Sequence, residues 1–505
     1  MTDKLNNFIN ELIVIAQLRR VAALLNWDQE TYMPVNGGFA RGEQLSLILS
    51  LAHTRFIGSE FEKSLGQLVD LESGNLTADG IDERQGKMVQ AVWRDWSRAK
   101  KIPTEFVAKF AVLTSESQQA WFLAKEDNDF PLIEPYLVRI VEMKRQEAEY
   151  VGYKTEPYDA LLEDFEPDIS TGELIDLFEA LLPTLRKLVQ DIDPSKNPYV
   201  RSILTQEYDE QRQWDFSLRV LRDMGFDMSR GRLDQSKHPF TTDFHPSDVR
   251  ITTRLNPSDF ASGFFGSIHE GGHALYEQGM DERHFGTPLA EAISLGVHES
   301  QSRLWENYVG RSREFWQFYF PRLQRQFQEQ LGAVTLDAFY RAINAVQPTP
   351  IRVEADEVTY NLHIILRFEL ERALINGDAR VSDLPDLWNG KMEQYLGLTP
   401  KDDTTGLLQD IHWSIGAFGY FPTYTLGNIY GRQIFEAALT DMDDLPALIA
   451  KGDLLTLRKW LREKVHTVGR IKTPKELIKS ITGNELSVKP FLTYLVTKYK
   501  EIYQF

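Results

Sequence analysis

FASGFFGSIHEGGHALYEQ, residues 260 to 278, decides how this chain is read. The stretch contains no proline, and Phe264, Phe265, Ile268 and Leu275 supply apolar contacts, so a helix is expected despite its internal glycines. On a helix, His269 and His273 are four apart and point the same way. Both imidazoles can then reach one Zn2+ at about 2.0–2.1 Å, while Glu270, about 100° round the axis, lies near the ion without ligating it. Gly271 and Gly272 each cost about 1 kcal/mol relative to alanine inside a helix. Their lack of Cβ atoms makes room for another backbone beside the metal; close packing against a neighbouring helix is the plainer explanation.

A catalytic zinc takes three protein ligands and leaves a fourth position to water. The following segment, LAEAISLGVHESQSRLWENYVG, offers Glu291, Glu299 and Glu306. Glu299 is preferred because it sits mid-helix, although spacing alone leaves Glu291 open. His298 points elsewhere on the same helix and is read as a supporting or core histidine.

The composition narrows the function classes. Lys and Arg number 56 against 74 Asp and Glu, a formal charge of −18 that would repel a phosphate backbone, so nucleic acid is not an expected partner. With no cysteine, disulfides and thiolate-held metals are excluded, which leaves His and carboxylate as ligands. The N-terminal MTDKLNNFINELIVIAQLRRVAALLNW is apolar only in short bursts broken by polar residues and Arg19-Arg20, so it reads neither as a signal peptide nor as a membrane span. A soluble, cytoplasmic protein is expected.

Most of the chain carries helical periodicity, with amphipathic runs at 5–26, 104–126, 131–150, 205–225, 313–331, 357–376 and 430–440. Ser170 with Glu173, and Thr473 with Glu476 and Pro474, form capping boxes that place two helix starts. Short connections argue for one domain over residues 1–505. The clearest strand is DVRITTRL, 248–255, whose alternation of Val249, Ile251, Thr253 and Leu255 with polar partners suggests a sheet edge. A substrate peptide could pair along such an edge.

HEGGH together with HESQSR (298–303), HPF (238–240), DVRIT (248–252), IRVEADE (351–357), GLLQDIHW (406–413) and NWDQETYMP (26–34) resembles the carboxypeptidase Taq family of metallocarboxypeptidases. The resemblance implies a mainly α fold with a deep central cleft, similar to neurolysin and angiotensin-converting enzyme, with a small β-sheet near zinc helices at about 260–310. It implies a homodimer that removes single residues from free peptide C-termini with broad tolerance. It also implies one Zn2+ per chain, replaceable by Co2+, held by His269, His273 and Glu299, with Glu270 as general base.

Two further tasks need residues. A donor to the tetrahedral oxyanion could come from His238, His412, Tyr420 or Tyr424. A grip on the terminal carboxylate suits an arginine fork: Arg352 first, Arg250 second, although Glu354, Asp356 and Glu357 near Arg352 also suit a structural ion pair. The competing readings are a zinc oligopeptidase built on the same core and a helical binding protein without catalysis.

Overall fold

The computed structural model describes residues 2–192 and 202–505 and is mainly helical, with one three-stranded sheet. Helices occupy each run expected to be helical: Thr2–Thr31, Thr104–Asp127, Glu134–Val151, Glu210–Met224, Arg313–Gln326, Tyr360–Asn376 and Pro422–Asp441 among them. Both capping boxes form. Ser170 accepts from the Glu173 amide and Thr473 from the Glu476 amide, and each glutamate returns the bond to the cap backbone. Among the described residues no helix is long and apolar enough to cross a membrane.

By contact density the chain divides into two compact units, each assembled from three separate stretches. The first comprises Met1–Lys100, Arg201–Ile343 and Ile434–Asn484; the second comprises Lys101–Val200, Asn344–Gln433 and Glu485–Phe505.

In the first unit, the long N-terminal helix and helix Gly38–Ile57 pack as a hairpin, tied by Arg55 to Glu11 and Arg41 to Asp28. Its inner side buries Leu5, Phe8, Leu12 and Ile15 against Phe56, Phe61 and Leu65. The sheet comprises β1 (Gly231–Gln235), β2 (Thr241–His245) and β3 (Asp248–Thr253), in the order β1-β3-β2. β3 pairs parallel with β1 and antiparallel with β2. The expectation of an edge strand at 248–255 is therefore corrected: β3 is central, both its backbone edges are taken, and no peptide can pair along it. Its polar side misled because Arg250 is covered. The guanidinium is bonded to Asp248 and lies 4.4 Å from the Trp27 ring centroid and 4.9 Å from that of Phe244.

Helix Phe260–Gly279 leaves the sheet immediately after β3, capped by the Asp259 carboxylate on the amides of Ala261 and Ser262. Phe260 and Phe264 stack at 5.3 Å and pack with Phe216 of helix Glu210–Met224. This helix is buried almost throughout, and that packing compensates for its glycines. A Cβ on Gly272 would lie 2.6 Å from the Ser302 Cα and 2.7 Å from the Gln301 carbonyl, so another backbone does approach there. At Gly271 the neighbour is instead a side chain, Leu221.

The second unit is built round helix Tyr360–Asn376, whose residues Leu362–Phe368 are all buried. Glu371 on this helix is fully enclosed and accepts from the Tyr158 hydroxyl, the Trp413 indole and the Gly419 amide. It thereby fastens the segment after Asp410 to the helical core.

Two outcomes are expected. Gly272→Ala forces the two backbones apart and should cost about 1–3 kcal/mol in urea unfolding, whereas Gly42→Ala, with nothing within 4 Å of its Cβ, should stabilise by about 0.4–1 kcal/mol. Burial pushes Glu371 up to about 7 from 4.5 against its three donors. A proton held more tightly in the folded state gives stability that is complete below pH 4.5 and lost as pH rises through about 7, amounting to at most about 3 kcal/mol. Glu371→Gln should flatten the stability profile over that window; an unchanged slope would show that another group titrates.

Candidate active site

The first unit places three sequence-predicted residues together. The Nε2 atoms of His269 and His273 lie 3.6 and 3.3 Å from one oxygen of Glu299, and one ligand atom from each of the three residues falls within 4.8 Å of the others. Helix Leu295–Arg303 carries Glu299 to the histidine helix, and the close contact at Gly272 sets that approach. Glu291 is not a member of the cluster. It sits in extended backbone after the turn Pro288–Ala290 and pairs with Arg470 at 2.9 Å.

Each member of the cluster is held from behind. The second oxygen of Glu299 accepts from Arg303 Nε at 2.6 Å, leaving the first aimed at the histidines. His269 Nδ1 is 2.9 Å from Glu306, and Glu306 is flanked by Arg303 and Arg311 at 3.3 Å each. Glu306 reaches this position because the helix widens into a π-turn over Leu304–Val309. His298 stacks on His273 with ring centroids 4.4 Å apart and is anchored by Glu277 at 2.8 Å, in the supporting role its position suggested.

The electrostatics match a cation site. Burial works against a charged His269, yet Glu299 and the bond to Glu306 outweigh it and raise its pKa. Burial, reinforced by His298, drives His273 down to about 3, so its imidazole is neutral and available as a ligand. Burial also opposes ionisation of Glu299, but Arg303 and His269 hold the carboxyl well below the usual range. Carboxylates that outweigh the effect of burial at His269 give the pocket a negative potential. Two imidazole nitrogens and one carboxylate oxygen, each fixed by a partner or by packing, are a donor set suited to a divalent ion with one position left open.

Glu270 adjoins the cluster. Its carboxylate is buried, which raises its pKa, and its one hydrogen-bond donor among the described residues is the Thr241 hydroxyl of β2 at 2.7 Å. Sequence reasoning missed Thr241, since nothing local links it to a residue 29 positions on. Within the same unit, His238 is exposed in the turn between β1 and β2, and its carbonyl accepts from Ser236. Pro239 beside it packs 3.8 Å from where a Gly266 Cβ would stand, so the turn lies along the histidine helix.

The second unit gathers the remaining candidates. Arg352 donates to Asp410 Oδ1 through Nε and Nη2 at 3.0 and 2.8 Å, and to the Tyr360 hydroxyl at 2.9 Å. Asp410 also accepts from Arg367 at 2.8 Å. Two guanidiniums thus share one carboxylate, a pairing that Asp356 and Glu357 do not enter: Asp356 caps Val358 and Thr359, and Glu357 pairs with Lys498. Burial pushes His412 down to about 3, and its Nε2 is 3.3 Å from the Tyr424 hydroxyl. Tyr420 packs on His412 with ring centroids 5.1 Å apart, and the Arg352 guanidinium lies 5.0 Å from the Tyr424 centroid.

Known proteins share this construction. The model of the carboxypeptidase Taq (M32) metallopeptidase family matches residues 7–499. Carboxypeptidase 1 of Bacillus subtilis is 39% identical over 496 residues, 98% of each chain. Thermostable carboxypeptidase 1 of Thermus thermophilus is 41% identical over 503 residues, 97% of this chain and 96% of that one. Among solved structures, the M32 carboxypeptidase from Deinococcus radiodurans superposes with a TM-score of 0.95 at 39% identity, with both chains fully covered. With the motifs, the fold and the convergent His, His and Glu in agreement, this chain belongs to the carboxypeptidase Taq (M32) family and is a metallocarboxypeptidase.

Proposed function

We propose that residues 1–505 form one catalytic domain that binds a single Zn2+ through His269, His273 and Glu299, with Co2+ as a working substitute, and releases one residue at a time from free peptide C-termini. The observation carrying this reading is the convergence of two imidazole nitrogens and a carboxylate oxygen beside a buried, otherwise unused glutamate. A bound divalent ion supplies Lewis-acid chemistry, acidifying water and polarising the scissile carbonyl. Glu270 accepts the proton of the attacking water and delivers it to the leaving amine. Glu306 fixes the tautomer of His269 by holding its Nδ1, and Arg303 keeps Glu299 ionised.

Arg352 is assigned the substrate carboxylate. Its cluster carries two guanidiniums against one aspartate, and the burial of both arginines makes an incoming anion a favourable neutralising partner. Arg250 is less suited, because Asp248 pairs with it one to one, whereas Asp410 is shared between Arg352 and Arg367. The oxyanion donor is assigned to the neutral His412–Tyr424 pair, with Tyr420 packed behind it, in preference to the exposed His238.

A second copy of the chain is the proposed partner. The outer face of the N-terminal hairpin exposes Val14, Val21 and Leu24 on one helix, and Phe39, Leu47 and Leu51 on the other. Residues 44–52 carry no charge in a chain of net −18. The spacing 14, 21, 24 and 47, 51 falls on heptad-type positions, and helices of 30 and 20 residues, about 45 and 30 Å long, give room for the roughly 800 Å² per partner of a standard interface.

Three measurements bear on this reading. A peptide with a free C-terminus should lose single residues stepwise while its C-terminal amide does not, with chelation stopping release and zinc or cobalt restoring it. Internal cleavage of both peptides would instead establish an oligopeptidase. Glu270→Gln should retain the metal and lose about 100- to 10,000-fold in kcat. Leu47→Glu should shift the sedimenting species from dimer to monomer; an unshifted dimer would place the interface elsewhere.

A further inference from the structure

The Thr241 hydroxyl lies 2.7 Å from Glu270 Oε2 and 3.0 Å from the main-chain carbonyl of the same residue. A hydroxyl has one proton to donate and lone pairs to accept with, so it can serve only one of these acceptors as donor at a time. Thr241 opens β2 and is paired in register with Ile251 of the central strand, so its backbone is fixed by the sheet. Its β-branched side chain has few rotamers, whereas the Glu270 side chain turns about several bonds. Among the described residues no other group donates a hydrogen bond to the Glu270 carboxylate.

We infer that Thr241 is a positioning residue that holds Glu270 through both halves of its proton cycle, an inference that rests on Glu270 being the base. While the carboxylate is ionised, the hydroxyl donates to Oε2 and leaves Oε1 turned toward the attacking water. The water's proton moves to Glu270, its oxygen bonds to the carbonyl carbon, the C–N bond breaks, and the proton passes to the departing amine nitrogen. In the interval when Oε1 carries the proton, Oε2 is the carbonyl oxygen of the acid and still accepts from the Thr241 hydroxyl, so the acid keeps its aim while it delivers the proton. The hydroxyl's own proton is neither lost nor exchanged in the balance, and the carboxyl keeps a partner in both states. The main-chain carbonyl of Glu270, 3.0 Å from the same hydroxyl, keeps Thr241 at the foot of the side chain that it holds.

The test compares Thr241→Val, which keeps the shape and removes the hydroxyl, with Thr241→Ser, which keeps the hydroxyl. For Thr241→Val, kcat should fall about 10- to 100-fold, while KM and the calorimetric affinity for zinc stay within about twofold. Thr241→Ser should recover most of the rate. In a Glu270→Gln background, Thr241→Val should cause no further loss, because the group it positions is gone. Full activity in Thr241→Val beside an inactive Glu270→Gln overturns the positioning role alone. Equal loss in the Val and Ser variants, accompanied by weaker zinc binding, overturns it in favour of a structural role. Activity retained by Glu270→Gln overturns the assignment of the base and this inference together.

Discussion

Everything at the metal cluster depends on one close contact: the backbone at Gln301 and Ser302 pressed against Gly272. Without a Cβ at that point the two helices meet near enough for Glu299 to stand 3.3 Å from His273 Nε2. The glycine weakens its own helix by about 1 kcal/mol, an amount offset by the aromatic packing of Phe260 and Phe264 and by the Asp259 cap. Local helix stability is thus given up where two elements must touch and regained at the end of the helix that makes no such contact.

The two units hold opposite electrostatic problems. In the first, Glu299 and Glu306 give the pocket a negative potential that raises the pKa of His269 against burial. In the second, Arg352 and Arg367 share Asp410 and keep His363 and His412 neutral through burial and like charge. Neither arrangement optimises stability, since each buries charge of one sign in excess. The first cluster carries the His, His and Glu donor set of a metallopeptidase, and the second carries more cationic than anionic groups.

What could be read from the sequence follows the range of the interaction. His269, His273 and Glu270 were legible because a helix turns residue spacing directly into direction, and the capping boxes at Ser170 and Thr473 were legible for the same local reason. Glu299 could be preferred but not separated from its neighbours by spacing. Glu306 was legible as a candidate ligand but not as the partner of His269 Nδ1, because a π-turn, which leaves no sequence period, carries it there. β3 was misplaced at an edge because alternation reports which side is polar and not what covers it; Trp27, far earlier in the chain, does the covering. Asp410 and Thr241 came into view only with the fold, since the residues they serve are far away in the chain.

The division into interleaved stretches has a consequence for biosynthesis. The histidine helix is completed at its far end by His466, whose ring fills the space over Gly279, and the second unit closes only when Lys498 and Tyr499 reach Glu357. A chain emerging from the ribosome therefore exposes unfinished faces of both units until residues beyond 434 have been made. The N-terminal hairpin differs, because its buried partners lie almost wholly within the first hundred residues and are made soon after it.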